Sequence, residues 1–499
     1  MRLFVCSSSG PVIDGESPGL LMSGTAGGLV PMLVALLERS GGAWAFLPRA
    51  NRTGWPDRAR TATGTEIALR PIRPDPSAER RFYEDISVKV LLWLFHYLHE
   101  TAESPVFDQT TDQAWQAYRH VNGLFADALR SFPADGDDDV VIVNDFHLLL
   151  VPGLYRRGSG RVGGHLVYLH HVPWCAADYF AILPAAIRRE LLDSVLQCDV
   201  IGFHADRWAQ AFLACCERFV PGVEIRDRIV HHAGGQSRVA VAPGALDIAN
   251  LRALLHDPVT RQWHDRLKRR AGERTIVARA ERFDLWKNVL RGFLAFESLL
   301  DRRPELAEAV CFYAVLSPVT APTPRHIRYQ QNCEAVVRRT NARHRKRGLD
   351  GPIVLLYPSA EAGTSRQRTV AALSLCQAAL VNPTFDGLNL VAKEALLLNT
   401  QSSVLLSTNT GVYEQVAPFV TPVHPFDIED TSTLLEAAID GDLAPSARER
   451  AACQELLRSE SADSWLAAIL TTSDSRRQIR YAHGEPPRDA GVALPSSTV

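Results

Sequence analysis

The chain has 499 residues, a net charge of −2, and 46% hydrophobic and 22% charged residues. That length exceeds what a single core fills and predicts two domains of roughly 200–250 residues each, with the composition of a globular protein in water. The near-zero charge leaves no overall basic field, which argues against nucleic acid or an anionic membrane as a partner.

Five lysines stand against 49 arginines, the usage of a GC-rich bacterial genome, so each lysine that survives is worth following. Nine cysteines are scattered, with Cys215 and Cys216 adjacent and no CxxC spacing. Reduced thiols and a cytoplasmic setting are expected from that pattern. No apolar stretch reaches the ~18–20 residues that cross a bilayer.

In chain order, "RLFVCSSS" reads as a first strand and is too short for a signal peptide. "SGTAGGLVPMLVALL" (23–37) follows, where Gly27 and Gly28 open an amphipathic helix. Such a pair is either a plain loop or a place where backbone comes close to a ligand. After the strand "AWAFL", the acidic "DGDDDVV" (135–141) precedes its strand and so lies at the wrong edge for a site; a solvated loop is expected. "VIVNDFHLLLVP" (141–152) puts Asp145 and His147 after an apolar run. Asp145 there is either a helix cap or an acceptor for a substrate hydroxyl. "VYLHHVPWCAADYFAILP" (167–184) ends a strand on His170 and His171. These are either satisfied buried rings or donors to a ligand, and with no third ligand at suitable spacing no zinc site is expected.

After the strand "DVIGFHA", a glycine-containing hairpin, "HHAGGQSRVAVAPGALD" (231–247), leads to Pro243 and Gly244, where the domain boundary is placed. The expected domains are 1–243 and 244–471, followed by a tail, 472–499, whose lack of apolar period predicts disorder. In the second half, "ARAERFDLWKN" (278–288) carries Arg282 and Lys287 beyond a strand. The pair suits either a surface loop or a grip on two phosphates. "NPTFDGLNLVAKEALLL" (382–398) is a strand–turn–helix with Asp386, Gly387 and Asn389 in the turn. It is either an ordinary turn with a capping Asp or an anion site at bare helix amides.

The strands are apolar without alternation, as strands buried on both faces are. The fold class is α/β, with two doubly wound Rossmann-like domains facing each other across a cleft. A dinucleotide-dependent oxidoreductase is disfavoured because no GxGxxG follows the first strand.

Read together, "GGLVPML", "VNDFHLLLVPGLYRR", "LHHVPW", "CDVIGFHADRWAQAFL", "ERFDLWKN", "FDGLNLVAKEA" and "HPFD" resemble the trehalose-6-phosphate synthase family of retaining glycosyltransferases over roughly residues 15–470. The resemblance implies a GT-B fold, a nucleotide-sugar donor (UDP-glucose is expected), a sugar-phosphate or cyclitol-type acceptor, and no cofactor or metal. Nothing in it forbids a homo-oligomer. Carried over residue by residue, it sets Asp386 toward donor-sugar hydroxyls and the amides of Gly387, Leu388, Asn389 and Leu390 against sugar and diphosphate. Glu394 would hold the ribose, Arg282 and Lys287 the diphosphate, and Gly27 and Gly28 a loop over the donor. Asp145 would bind the acceptor and His171 the transferred sugar; Lys393 receives no role. On the acceptor side the family pattern points to Tyr83, Trp93, Arg325 and Arg328. The loop "SSSGP" lacks the arginine that the family carries after its first strand. The stretch "HHVPWCAADYFAILPAAIRRELL" also looks like the pseudo-glycosyltransferase branch, which joins a nucleotide-activated cyclitol to an aminocyclitol phosphate. A regulatory subunit that senses sugar phosphate without catalysis is the alternative of another class; it would have lost the donor residues.

Overall fold

A computed structural model describes residues 1–13, 19–22, 28–48, 54–133, 136–157, 164–319, 322–345, 350–357 and 364–471. Gly27 and the expected disordered tail, 472–499, lie outside the described residues. Strands form at all ten apolar runs that predict them: "RLFVCSSS", "AWAFL", "VVIVND", "HLVYLHHVP", "DVIGFHA", "TIVARAERFD", "AVCFYAVL", "PIVLLYP", "AALVNP" and "SSVLLSTNTG". They assemble into two sheets.

The first sheet runs, from one edge to the other, Glu224–Arg226, Ile229–His232, Gly235–Val241, Val200–Phe203, His165–Leu169, Val140–Asn144, Leu3–Ser7, Gly42–Phe46, Glu66–Pro71 and Arg58–Arg60. The seven strands from Gly235–Val241 to Glu66–Pro71 are parallel, and antiparallel strands close each edge. The second sheet is wholly parallel, ordered Ile353–Leu356, Val310–Ser317, Thr275–Arg282, Ala378–Val381, Ser403–Ser407 and Thr421–Val423. Numbered along the chain, that order is 3-2-1-4-5-6, the doubly wound arrangement. Its switch point falls between Thr275–Arg282 and Ala378–Val381. In the first sheet the corresponding point lies between Leu3–Ser7 and Val140–Asn144. In both lobes the crevice beyond these strand ends is where such sheets bind ligands.

The strands are buried along their whole length because helices cover both faces. Two apolar layers flank each sheet, such as Phe4, Phe82, Tyr118 and Val143 on one side of the first and Val5, Leu33, Trp44 and Ile142 on the other. Short edge strands such as Arg58–Arg60 and Thr421–Val423 escape a pattern reading because they carry little apolar signal. The segment Arg81–Leu92 winds as a π-helix, with the Ser87 hydroxyl donating to the Phe82 carbonyl 2.8 Å away. Hydrogen bonds that skip five residues break the 3.6-residue period of an α-helix over this segment.

The final helix, Ala462–Leu470, returns to the first lobe. Its Trp465, Leu466, Ile469 and Leu470 pack with Val30, Leu33 and Leu37, and Trp465 Nε1 donates to the Ala242 carbonyl at 2.9 Å. The chain therefore crosses between lobes twice, at 242–247 and at Glu460–Ser461. Among the described residues no helix is long and apolar enough to cross a membrane.

Candidate active site

The site is built first by the second lobe's switch point. Strand Thr275–Arg282 delivers the turn Phe283–Asn288, and strand Ala378–Val381 delivers Asn382–Asn389. Arg279, inside the first of these strands and wholly buried, fastens the two turns. Its guanidinium donates to Glu281 Oε1 (3.0 Å), the Lys287 carbonyl (3.0 Å), the Val289 carbonyl (3.2 Å) and Asn382 Oδ1 (3.3 Å). Asn288, at φ 57°, donates its side-chain amide to the carbonyls of Asn382 (2.8 Å) and Pro425 (2.6 Å). Thr384 N donates to the Trp286 carbonyl at 2.8 Å. A buried guanidinium is tolerated where nearly every donor finds an acceptor, and this one organises the loops around it.

Lys287 Nζ then lies 2.5 Å from Asp386 Oδ2, joining the two turns directly. Burial disfavours both charges, yet each holds the other ionised. Lys287 is raised by Asp386 and Glu281 against its desolvation, and Asp386 is held below the carboxylate range by Lys287 against its own. Asn389 Nδ2 shares the same oxygen at 3.1 Å. Asp386 Oδ1 has no partner among the described residues.

The helix after the turn, Leu390–Leu398, is capped by Asn389, not by Asp386. Asn389 takes φ 76° and accepts from Ala392 N at 3.2 Å. The amides of Gly387, Leu388, Asn389 and Leu390 have no acceptor among the described residues, so the helix start can cradle an anion. Gly387 is required: a Cβ there would come within 2.1 Å of the His171 carbonyl oxygen. Gly28 faces the same turn, its absent Cβ lying 2.1 Å from Leu390 Cδ1. Glu394, on this helix, is gripped by both terminal nitrogens of Arg366 at 2.7 and 2.5 Å. Arg282 pairs with buried Asp284 at 2.6 Å while its side chain stays 56% exposed, facing the cleft.

The first lobe contributes the opposite wall. Asp145, at φ 72°, ends its strand and accepts from the His171 amide at 3.3 Å. Burial pushes its carboxyl up to about 7. His147, stacked on Tyr83 at 5.6 Å, is driven down to about 3 by burial and stays neutral. Burial raises the Tyr83 hydroxyl, with smaller contributions from the charges of Arg282, Asp284 and Asp145.

His171 is committed through its ring. Asn144 Nδ2 donates to the Cys6 carbonyl, turning Oδ1 toward His171 Nε2 at 3.0 Å. Both ring nitrogens of His171 are thus engaged, Nε2 with Asn144 and Nδ1 with His204 Nε2 at 2.9 Å, and His204 Nδ1 in turn lies 3.4 Å from the Ala242 carbonyl. Burial and the neighbouring His204 hold His171 neutral. In this arrangement the ring has no free donor for a ligand; His171 reaches the turn through its backbone against Gly387.

Arg325 bonds the opposite lobe, donating to the Leu98 carbonyl, pairing with Glu100 at 3.2 Å and lying over the Trp93 ring at 5.3 Å. Trp93 Nε1 is buried without a hydrogen-bond partner. Arg328 is exposed and makes no ion pair among the described residues. Sequence reading missed Arg279, Asp284, Arg366, His204 and His96, whose ring lies 4.2 Å from that of Trp286 at a tilt of 32°. Only Arg279 left a signal, as a charge inside an apolar strand.

The lobes meet next to the Asp386–Asn389 turn. Trp208 Nε1 donates to the Gly387 carbonyl at 3.1 Å, and Glu414 accepts from the amides of Asp206 (2.6 Å) and Arg207 (3.1 Å). No group of three or more metal-binding side chains occurs among the described residues.

Because the carboxyl of Asp145 titrates near 7 in the fold against ~3.9 when unfolded, the native state binds the extra proton between those values. Stability contributed by this group is full below pH ~4 and declines until about 7. Asp145→Asn removes the penalty, so its melting temperature should rise above wild type with increasing pH and level off beyond pH 7. A difference independent of pH would show that Asp145 is not buried as a charge.

The sequence profile of glycosyltransferase family 20 matches residues 15–473. A bifunctional trehalose-6-phosphate synthase/phosphatase from Thermoproteus tenax is 26% identical over 97% of this chain, which spans 65% of that relative's length. A validamine 7-phosphate valienyltransferase from Streptomyces hygroscopicus is 27% identical over 85% of this chain and 82% of its own. The crystal structure of a UDP-forming α,α-trehalose-phosphate synthase from Burkholderia xenovorans, in complex with glucose-6-phosphate, superposes with a TM-score of 0.79 at 23% identity, covering 93% of this chain and 98% of that one. With two Rossmann-like lobes in the GT-B arrangement and the profile matched along nearly the whole described chain, the protein belongs to glycosyltransferase family 20, the family of the trehalose-6-phosphate synthases.

Proposed function

We propose that the protein transfers a hexosyl group, with retention, from a nucleotide sugar to a sugar phosphate or related polyol, UDP-glucose being the expected donor. The observation that carries this is the pairing of Lys287 with Asp386 beside four amides, 387–390, that meet no acceptor among the described residues. A cation, an anion cradle and a carboxylate oxygen without a partner suit diphosphate and sugar hydroxyls together. In this reading the anomeric C–O bond breaks and its electron pair goes to the diphosphate, which Lys287, Arg282 and the amides stabilise. The acceptor hydroxyl attacks from the same face and gives its proton to the leaving phosphate oxygen. The charge so met needs no metal. Asp145, Tyr83 and the Trp93–Arg325 pair line the acceptor side, Glu394 takes the ribose and Gly28 closes on the turn. Residues 1–243 with the returning helix would form the acceptor lobe and 244–460 the donor lobe. A cytoplasmic setting is supported by nine buried free thiols.

A second reading, coupling of a nucleotide-activated cyclitol to an aminocyclitol phosphate, is favoured by one feature: the loop Ser7–Pro11 at the first lobe's switch point has no basic side chain. Mass spectrometry of reactions with UDP-, GDP- and ADP-glucose plus glucose 6-phosphate decides. A disaccharide phosphate supports the first reading. Donor binding or slow hydrolysis without that product moves the acceptor to cyclitols. No binding of any nucleotide sugar would leave a regulatory subunit.

A further inference from the structure

Lys393 has no place in the site just described, yet it is among the most enclosed charges in the protein. Its side chain is 0% exposed and sits in the helix that starts at the donor turn, one residue before Glu394. A buried ammonium is costly unless its three donors are met. Nζ donates to the Gly244 carbonyl at 2.8 Å and to Glu460 Oε2 at 2.7 Å. The other oxygen of Glu460 accepts from the Gln415 side chain.

Those two acceptors are the two places where the chain passes between lobes. Gly244 lies in the first crossing, between Gly235–Val241 and Ile248–His256, and Glu460 in the second, between Ala447–Ser459 and Ala462–Leu470. On the other side the crossings are tied once more, by Trp465 Nε1 to the Ala242 carbonyl. Gly244 is also wedged: a Cβ there would stand 2.9 Å from Leu388 Cδ2 and 3.3 Å from His204 Cε1. Leu388 belongs to the donor turn, and His204 holds His171 on the opposite lobe. Rotation at this crossing therefore displaces a residue on one wall of the cleft or the other.

We propose that Lys393 is a hinge pin, a positioning residue that sets the angle between the lobes by bonding both crossings and so couples that angle to occupancy of the donor turn. The coupling to a donor rests on the proposed glycosyltransferase reading; the hinge itself does not.

The test compares wild type with Lys393→Met and with Lys393→Met/Glu460→Met. The single change strands Glu460 and can fail to fold. The double change removes both charges at similar volume, a replacement that buried ion pairs often tolerate. Three quantities are read: melting temperature, UDP affinity by calorimetry, and the distance distribution between spin labels on Asp178→Cys and Asp265→Cys, one on each lobe, without ligand.

The double variant is expected to melt near wild type, to show a broadened inter-lobe distribution and to bind UDP about tenfold more weakly. A double variant with the wild-type distribution overturns the proposal, as does one whose affinity falls only in step with its melting temperature, which a purely structural strut would produce. If wild type itself does not bind UDP, the donor assignment fails. The ligand-free distribution then decides the hinge alone.

Discussion

Lys287→Ala is expected to lower kcat by about 30- to 1,000-fold, a loss of about 2–4 kcal/mol in transition-state stabilisation. The magnitude follows from where the ammonium sits. Its side chain is 16% exposed and 2.5 Å from Asp386, so its field at a departing diphosphate is little screened by water. Arg282, 56% exposed and shared with Asp284, works in a wetter place, and Arg282→Ala should cost less than Lys287→Ala. Steady-state kinetics with the confirmed donor and acceptor checks both. If both variants keep activity within threefold of wild type, the diphosphate assignment is lost. Lys287→Ala also strands the Asp386 carboxylate, so Asp386→Asn on the same background separates the two effects: it should recover melting temperature without recovering kcat.

Arg279→Leu should have the largest effect on stability, about 3–5 kcal/mol, because it takes from the buried Glu281 its only ion-pair partner among the described residues. Glu281 is 1% exposed, its Oε2 already lacks a hydrogen-bond partner, and burial raises its carboxyl despite Arg279. The same change frees the carbonyls of Lys287 and Val289 and the side chain of Asn382, so the turn Phe283–Asn288 should loosen with it. Thermal unfolding followed with two probes, one for each lobe, checks this. The second lobe's transition should fall, and Arg279→Leu/Glu281→Leu should regain most of the loss. A shift below that of a typical surface substitution would show that the guanidinium does not organise the switch point.

Much of this architecture was legible in the residues. "VVIVND" and "AALVNP" read as strands because a parallel strand covered on both faces must be apolar throughout, and that requirement is local. The turn "FDGLN" read as either an ordinary turn with a capping Asp or an anion site, only the family resemblance favouring the second, and the structure gives the cap to Asn389. The π-wound Arg81–Leu92 was not legible, since a five-residue hydrogen-bond step has no apolar signature of its own.

The sequence by itself determined the main strands, the doubly wound class, and that Lys287 and Asp386 fall in turns beyond strand ends, with Arg282 expected there too but found as the last residue of its strand, because apolar periodicity and turn chemistry act over a few residues. Only the tertiary structure decided which charges meet. Lys287 finds Asp386 across 99 positions of chain, His171 gives its ring to Asn144 and His204, and Lys393 spans to Gly244 and Glu460. Pairing at such separations depends on strand order and on how two lobes close, and neither is encoded in any short stretch of residues.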